Sequence, residues 1–221
     1  MKKYKLTENS IVHGSITLYQ IEGLPDTEHA GELGGYIEKE ANFAHEGDAW
    51  IADNARVFGN ARVYGNARVF GNAQVYGNAR VHDSARVYGD ARVHDSARVH
   101  DSARVSDNAQ VYGNARVYGD ARVFGNAWVY GDARVYDNAR VYGDARVYGT
   151  VLTTPICLVG FPRNVTIADS TIVIGCQHHT ITDWLSFTKE DIAIWDRACS
   201  ENWDAYKEII RAICTTTGRL S

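Results

Sequence analysis

The chain has 221 residues, 23 Lys and Arg against 27 Asp and Glu, and a formal charge of -4. That length suits one domain with small attachments, and so mild a charge singles out no particular partner. No stretch approaches the ~18 consecutive apolar residues of a membrane span. Lys2 and Lys3 are basic, but Tyr4, Lys5, Thr7, Glu8 and Asn9 break up any apolar signal-peptide core. The four cysteines, Cys157, Cys176, Cys199 and Cys214, lack paired short spacings. Reduced thiols in a cytoplasmic protein are expected, two disulfides being the alternative.

Residues 1–36 read as an N-terminal β cap. Lys3 to Leu6 and Ser15 to Glu22 are strand-like, with polar breaks at Asn9-Ser10 and His13-Gly14, and predict a hairpin packed across the first coil of a repeating central segment.

From Ile51 onward an aliphatic residue returns every sixth position, through Val57, Val63 and Val69 to Val147, and alanine follows four residues after each, from Ala55 to Ala145. Val151 stands where the last alanine is due. Between valine and alanine lie pairs such as Gly59-Asn60 or Asp83-Ser84, residues that accept positive φ or bond nearby backbone. A helix cannot use this pattern, because six does not match 3.6 and each interior glycine costs about 1 kcal/mol. Short Arg-Val-Tyr strands with tight Gly-Asn-Ala corners can. Alternation along a strand turns the valine inward and its two neighbours outward, and successive coils of three hexads stack about 4.8 Å apart as parallel strands. The repeat spans residues 37–152, since Ile37 and Ala41 already fit it, while Phe43 to Trp50 holds two extra residues that predict a bulging corner at Ala44-His45-Glu46.

The phrase V-x-G-N/D-A-R resembles the hexapeptide repeat of left-handed β-helix proteins, best known from acyltransferases; the left hand is what this resemblance implies. Gly34-Gly35-Tyr36-Ile37-Glu38 with His45-Glu46-Gly47-Asp48-Ala49-Trp50 is similar to the opening segment of hexapeptide-repeat proteins of enterobacteria, prophages and phages. The phrase Ile174-Gly175-Cys176-Gln177-His178-His179-Thr180-Ile181, followed by Trp184, resembles a small terminal module of phage proteins. The fold class expected is therefore mainly β: a left-handed parallel β-helix of about six coils, a hexapeptide-repeat solenoid with the N-terminal β cap and a small C-terminal α/β tail.

In that tail, residues 153–221, Ile156 to Phe161, Val165 to Ile167 and Thr171 to Ile174 read as strands forming a hairpin unit. Thr188 is a helix N-cap with acids in the first turn, and Ile192, Trp195, Ala198, Cys199, Trp203, Tyr206, Ile209, Ile210 and Ile213 form the stripe of a closing amphipathic helix, broken near Ser200-Glu201-Asn202. Cys176 is expected buried at a strand end, with His178 and His179 in a polar turn.

Sorting the repeat by eighteen gives three outer faces. The first carries Phe58, Tyr76, His94, Tyr112, Tyr130 and Tyr148 beside Arg56, Gln74, Arg92, Gln110, Trp128 and Arg146. It is the least charged and most aromatic. The second carries an arginine ladder, Arg62, Arg80, Arg98, Arg116 and Arg134, beside Tyr64, His82, His100, Tyr118 and Tyr136. The third alternates Arg68, Arg86, Arg104, Arg122 and Arg140 with Phe70, Tyr88, Ser106, Phe124 and Tyr142. One reading is a solvated wall steadied by ring stacking and Arg over Tyr. Another makes the first face, through Phe58, Tyr76, Tyr112, Trp128, Tyr130 and Tyr148, a self-association surface; the resemblance to left-handed β-helix proteins implies a trimer. Arg80, His82, Arg98, His100 and Arg116, together with His45, His178 and His179 where the repeat breaks, are the candidate binding residues for a small anionic, nucleotide-like ligand. Aspartates at Asp83, Asp90, Asp95, Asp101, Asp107, Asp120, Asp132, Asp137 and Asp144 weaken the field too much for nucleic acid.

No catalytic phrase, metal set or cofactor motif stands out. The expected role is a non-catalytic binding or scaffold protein, phage-derived by resemblance, that sequesters a host protein or nucleotide-like ligand, for instance in counter-defence. A divergent acyltransferase using an acyl-CoA donor, with one of these histidines as general base, is the alternative.

Overall fold

A computed structural model describes residues 2–151, 153–158 and 161–220. Met1, Leu152, Val159, Gly160 and Ser221 lie outside it, among them the expected boundary at Leu152 and part of the strand expected over Ile156 to Phe161.

The hexads fold as two-residue strands, from Trp50–Ile51 to Thr150–Val151, in three parallel stacks. Register follows the eighteen-residue coil: Val75 pairs with Val57 and Val93, Val81 with Val63 and Val99, Val87 with Val69 and Val105. Each coil donates to the next, as Arg56 N–H to Ala73 O at 2.9 Å and Phe58 N–H to Val75 O at 3.1 Å. The valines and alanines of residues 55–147 are buried in one continuous core. Full burial of a valine contributes on the order of 1.5–3 kcal/mol, so stability accumulates coil by coil.

The corners depend on positive φ. Gly113, at +70°, lies so near the next coil that an added Cβ would stand 2.9 Å from Gly131 N. Aspartate occupies the same corner at Asp53, Asp83, Asp95, Asp101, Asp107 and Asp137, with φ between 53° and 58°. There the carboxylate offsets part of the strain: Asp95, Asp101 and Asp107 accept the N–H of Gly113, Gly119 and Gly125 at 3.0–3.1 Å, one coil further on.

The first coil is built from irregular residues. Phe43 occupies the inward position over Val63, and after a loop Trp50–Ile51 pairs with Arg68–Val69. At the other end Val151 corrects the expected phrasing. It pairs with Val135, and Gly149 O accepts the Arg134 N–H, so Val151 takes a valine position and Gly149 the alanine one. The last corner is two residues shorter. Glycine suits it because the C-terminal module presses close: an added Cβ at Gly149 would meet Thr171 Oγ1 at 2.6 Å.

Both edges of the solenoid are covered. Strands β1 (Tyr4–His13) and β2 (Ile16–Gly23) form the hairpin, with Asn9-Ser10 inside β1 next to a bulge rather than at a turn. The hairpin packs on the first coil as expected, with Tyr4 and Ile21 in the solenoid core and Tyr4 stacked on Phe43, and it also pairs through β3 (Leu33–Ile37) with Arg56–Val57, extending the first face into a nine-stranded sheet. The terminal coil is capped by side chains, as Thr166 Oγ1 accepts the Arg146 N–H at 3.0 Å, and by Ala168, which joins the solenoid core. Such capping shields backbone groups that would otherwise recruit further strands.

The C-terminal module has four antiparallel strands, Ile156–Leu158, Val165–Ile167, Thr171–Ile174 and Gln177–Thr180. Four helices follow: α1 (Ile181–Ser186), α2 (Lys189–Trp195), α3 (Arg197–Ser200) and α4 (Trp203–Thr216). Thr188 caps α2 as expected, its Oγ1 accepting the Asp191 N–H. Three expectations are corrected. His178 and His179 sit on the fourth strand and not in a turn, because they continue the pairing of Val173 and Ile172. Cys176, in the turn before them, is exposed. The helix breaks at Ser200-Glu201-Asn202 as expected, but a second break precedes it, where Asp196 adopts an extended φ of -155° between α2 and α3. Ile192, Cys199, Trp203 and Ile210 of the stripe are buried, whereas Ala198 and Ile209 are exposed and Trp195 is partly so.

Candidate functional site at the solenoid end

The three faces carry ring stacks. On the first, His13, Phe58, Tyr76, His94, Tyr112, Tyr130, Tyr148 and His178 form one column from the hairpin to the C-terminal strand, with neighbouring centroids 3.6–5.6 Å apart. On the second, Tyr64, His82, His100, Tyr118 and Tyr136 stack at 4.7–5.1 Å. The third is interrupted by Ser106, which is buried between Tyr88 and Phe124. Stacking is ring on ring. The expected Arg over Tyr is replaced, among the described residues, by Arg146 over Trp128 at 4.6 Å and Lys3 over Phe43 at 4.2 Å.

The expected binding residues divide among three places. Arg80, Arg98 and Arg116 form an exposed ladder beside the half-buried His82 and His100. His82 Nδ1 lies 3.0 Å from Asp83, and His94 and His100 face Asp95 and Asp101 in the same way at 3.2 and 3.3 Å. A His–Asp pair that recurs at one point of the hexad is a local property of the repeat, not a single constructed base. Burial pushes the His82 pKa down, with Asp83 opposing, whereas Asp101 is held below the usual carboxylate range by the Gly119 N–H. His82, Asp83 and His100 are close enough to suggest a metal set. Their rings, however, are parallel within 2° and 5.0 Å apart, so their in-plane lone pairs do not converge on one ion.

His45 lies at the first corner, stacked on Tyr4 at 4.4 Å. His178 closes the first-face column, and His179 is packed among Trp184, Phe187 and Trp195. Neither lines the cleft at the molecule's C-terminal end.

That cleft, about 490 Å³, opens where the last coil meets the C-terminal module. Its walls include Arg146, Arg163, Cys176, Trp184, Trp195 and Trp203. Two tryptophans are fixed by their indole N–H groups, Trp184 to Ile172 O at 2.8 Å and Trp203 to Phe187 O at 2.9 Å. Trp195 is 40 % exposed and offers a free edge. Arg146 donates to Gly175 O at 2.9 Å and has no carboxylate partner among the described residues, while Arg163 is paired with Asp196. Burial pushes the Cys199 thiol up, which makes it a poor nucleophile. The arrangement is an aromatic slot with a cation at its edge. Its size and lining are those of small-molecule sites. Sequence reading missed Arg163, Trp184, Trp195 and Trp203 as walls of a shared cleft; the available signal was three tryptophans within twenty residues.

No helix of the described residues is long and apolar enough to cross a membrane. Among curated proteins, none matches the chain. A family model described as YdcK Beta solenoid repeat matches residues 61–74, 73–87, 85–101, 109–121, 115–131 and 133–149. Those matches stop short of both caps and take in only Arg146 of the Trp-lined cleft, so what the chain is similar to in this family is its repeating β-solenoid.

Proposed function

We propose that this protein is a non-catalytic binding protein whose solenoid is a rigid support for a small-ligand site at its C-terminal end. The observation that carries this reading is the 490 Å³ cleft, in which indole rings meet Arg146, a cation without a carboxylate partner among the described residues. A planar ring carrying negative charge, as in a nucleotide, matches both features by stacking and by charge. This moves the expected anion site from the second-face ladder, whose arginines share their wall with aspartates, to the junction. Withdrawal of such a ligand or of a host protein is the wider role, supported by the resemblance of the terminal segments to phage proteins. Self-association through the least charged face, as a trimer, belongs to the same reading.

The test is native mass spectrometry of the purified chain for subunit count and co-purifying small molecules, followed by tryptophan-fluorescence titration with AMP, ATP and acetyl-CoA. Saturable nucleotide binding, weakened about tenfold by Trp195→Ala or Arg146→Ala, is expected. No binding of any of the three sinks the ligand assignment. Acyl-CoA binding with turnover, lost on changing one histidine, would replace it by acyl transfer. A monomer, or an oligomer unaffected by Tyr112→Glu, sinks the interface.

A further inference from the structure

A second site lies at the opposite end, where two residues too many separate Phe43 from Trp50. The resulting corner, with Lys2, Lys3 and the 26–29 loop, walls a cleft of about 280 Å³. Three of its lining side chains hold buried nitrogens with no hydrogen-bond partner among the described residues: Trp50 Nε1, His45 Nε2 and His29 Nε2.

Their chemistry is constrained. Trp50 is 4 % exposed, and its ring is stacked 4.0 Å from that of His29, so the indole cannot swing to water. An indole N–H only donates. His45 Nδ1 accepts the Lys3 backbone N–H at 3.3 Å, which leaves the proton of a neutral ring on Nε2. Burial keeps that ring neutral by lowering its pKa. His45 Nε2 and Trp50 Nε1 are therefore two donors, neither of them able to ligate a metal ion, and they call for an oxygen acceptor. Lys3 adds a cation at the same wall, held by Gly47 O and Ala49 O at 3.2 and 2.9 Å. Burial lowers its pKa to about 8.

The cleft also carries Asp26, Glu28 and Asp48. Glu28 reaches Arg68 only at 3.6 Å. Three carboxylates repel a multiply charged anion such as phosphate, yet the donors still need an acceptor. A molecule with a carboxylate at one end and an ammonium at the other satisfies both walls. We propose that this cleft binds a small zwitterion of the amino-acid class, its carboxylate on Trp50 Nε1–H and His45 Nε2–H and its ammonium toward Asp26, Glu28 and Asp48.

The experiment is calorimetric titration of the full chain with a panel of free L-amino acids, and with acetate, methylammonium and phosphate as partial or rival ligands. At least one amino acid should saturate the site. Trp50→Phe leaves an aromatic ring against His29 but removes the N–H together with part of the indole, so binding should weaken about tenfold in a protein that still folds, its unfolding midpoint lowered by the lost packing. His45→Phe should weaken binding similarly, and Trp195→Phe should leave it unchanged. The proposal is overturned if no amino acid binds up to millimolar concentrations, if acetate or phosphate binds as tightly as the amino acid, or if Trp50→Phe binds like the wild type. Because the cleft is at the other end from Trp195 and Arg146, failure here leaves the junction site untouched, and the reverse.

Discussion

The repeat and the ends of this molecule solve the same burial problem in opposite ways. Between residues 55 and 147 every hexad buries one valine and one alanine, and each coil passes its backbone hydrogen bonds to the next. Among the described residues, the buried side-chain nitrogens and oxygens without partners belong to His29, His45, Trp50, Thr171, His179 and Arg219, all outside that span. Recognition has room at the ends for this reason. A stacked coil leaves no unpaired group for a ligand to complete, whereas the irregular ends have clefts and orphaned donors.

The regular side is where a single change should do most damage. Val99 is fully buried between Val81 and Val117, and Val99→Asp puts a carboxylate there with no partner. A cost of several kcal/mol is expected, read as loss of the cooperative urea transition and of β signal in circular dichroism. A folded Val99→Asp protein would show that the coils are less interdependent than their register implies.

Trp203→Ala probes the other side. Trp203 belongs to a core separate from that of the solenoid, so a loss of about 3–5 kcal/mol should fall on the C-terminal module. Near-ultraviolet signal should disappear at lower denaturant than the β signal; a single shared transition would mean the two cores unfold as one.

Acid should act through His82 of the second face. Burial places the folded pKa of His82 below its ordinary value near 6.5, so the unfolded chain binds the proton more readily. That contribution is fully present above the unfolded pKa and is lost as pH falls through the folded one. The midpoint of thermal unfolding should therefore drop by a few degrees between about pH 7.5 and pH 5.5, and less in His82→Tyr, which restores the common phrase. An equal drop in both proteins would assign the effect elsewhere. Carboxylates held low, such as Asp101, act in a separate window below about pH 4.

The smallest effect is expected at the corners. Asp101→Asn keeps an oxygen for the Gly119 N–H and tolerates positive φ, so it should cost about 1 kcal/mol or less. Asp101→Ala loses the acceptor and retains the strain, at roughly 1–2 kcal/mol. If the two variants melt together, the carboxylate bond to Gly119 has no net value.

The solenoid was legible because its periodicity is local and unbroken: one valine in six and one small corner residue define coil length, register and the facing of every wall residue. The second-face stack of His82 and His100 followed from counting by eighteen. The caps were harder. Val151 kept the chemistry expected of a corner but moved to a strand position when the chain shortened its last turn, a change no single residue announces. The helical stripe held its expected break at Ser200-Glu201-Asn202 and gained an unforeseen one at Asp196, where one extended residue separates α2 from α3. The Trp-lined cleft was invisible because its walls come from the last coil, the loops beside two strands and four helices.

What the amino-acid sequence determined by itself is the rod: the six-residue period, the inward valines, the positive-φ corners and the three outer faces, since each depends only on neighbours one coil away. Tertiary structure alone decided the ends, where Arg146 meets Trp184 and Trp195, and where His45 and Trp50 retain donors without acceptors. Those groups are brought together by long-range packing of non-repeating segments, and nothing in their sequence spacing encodes the distance between them.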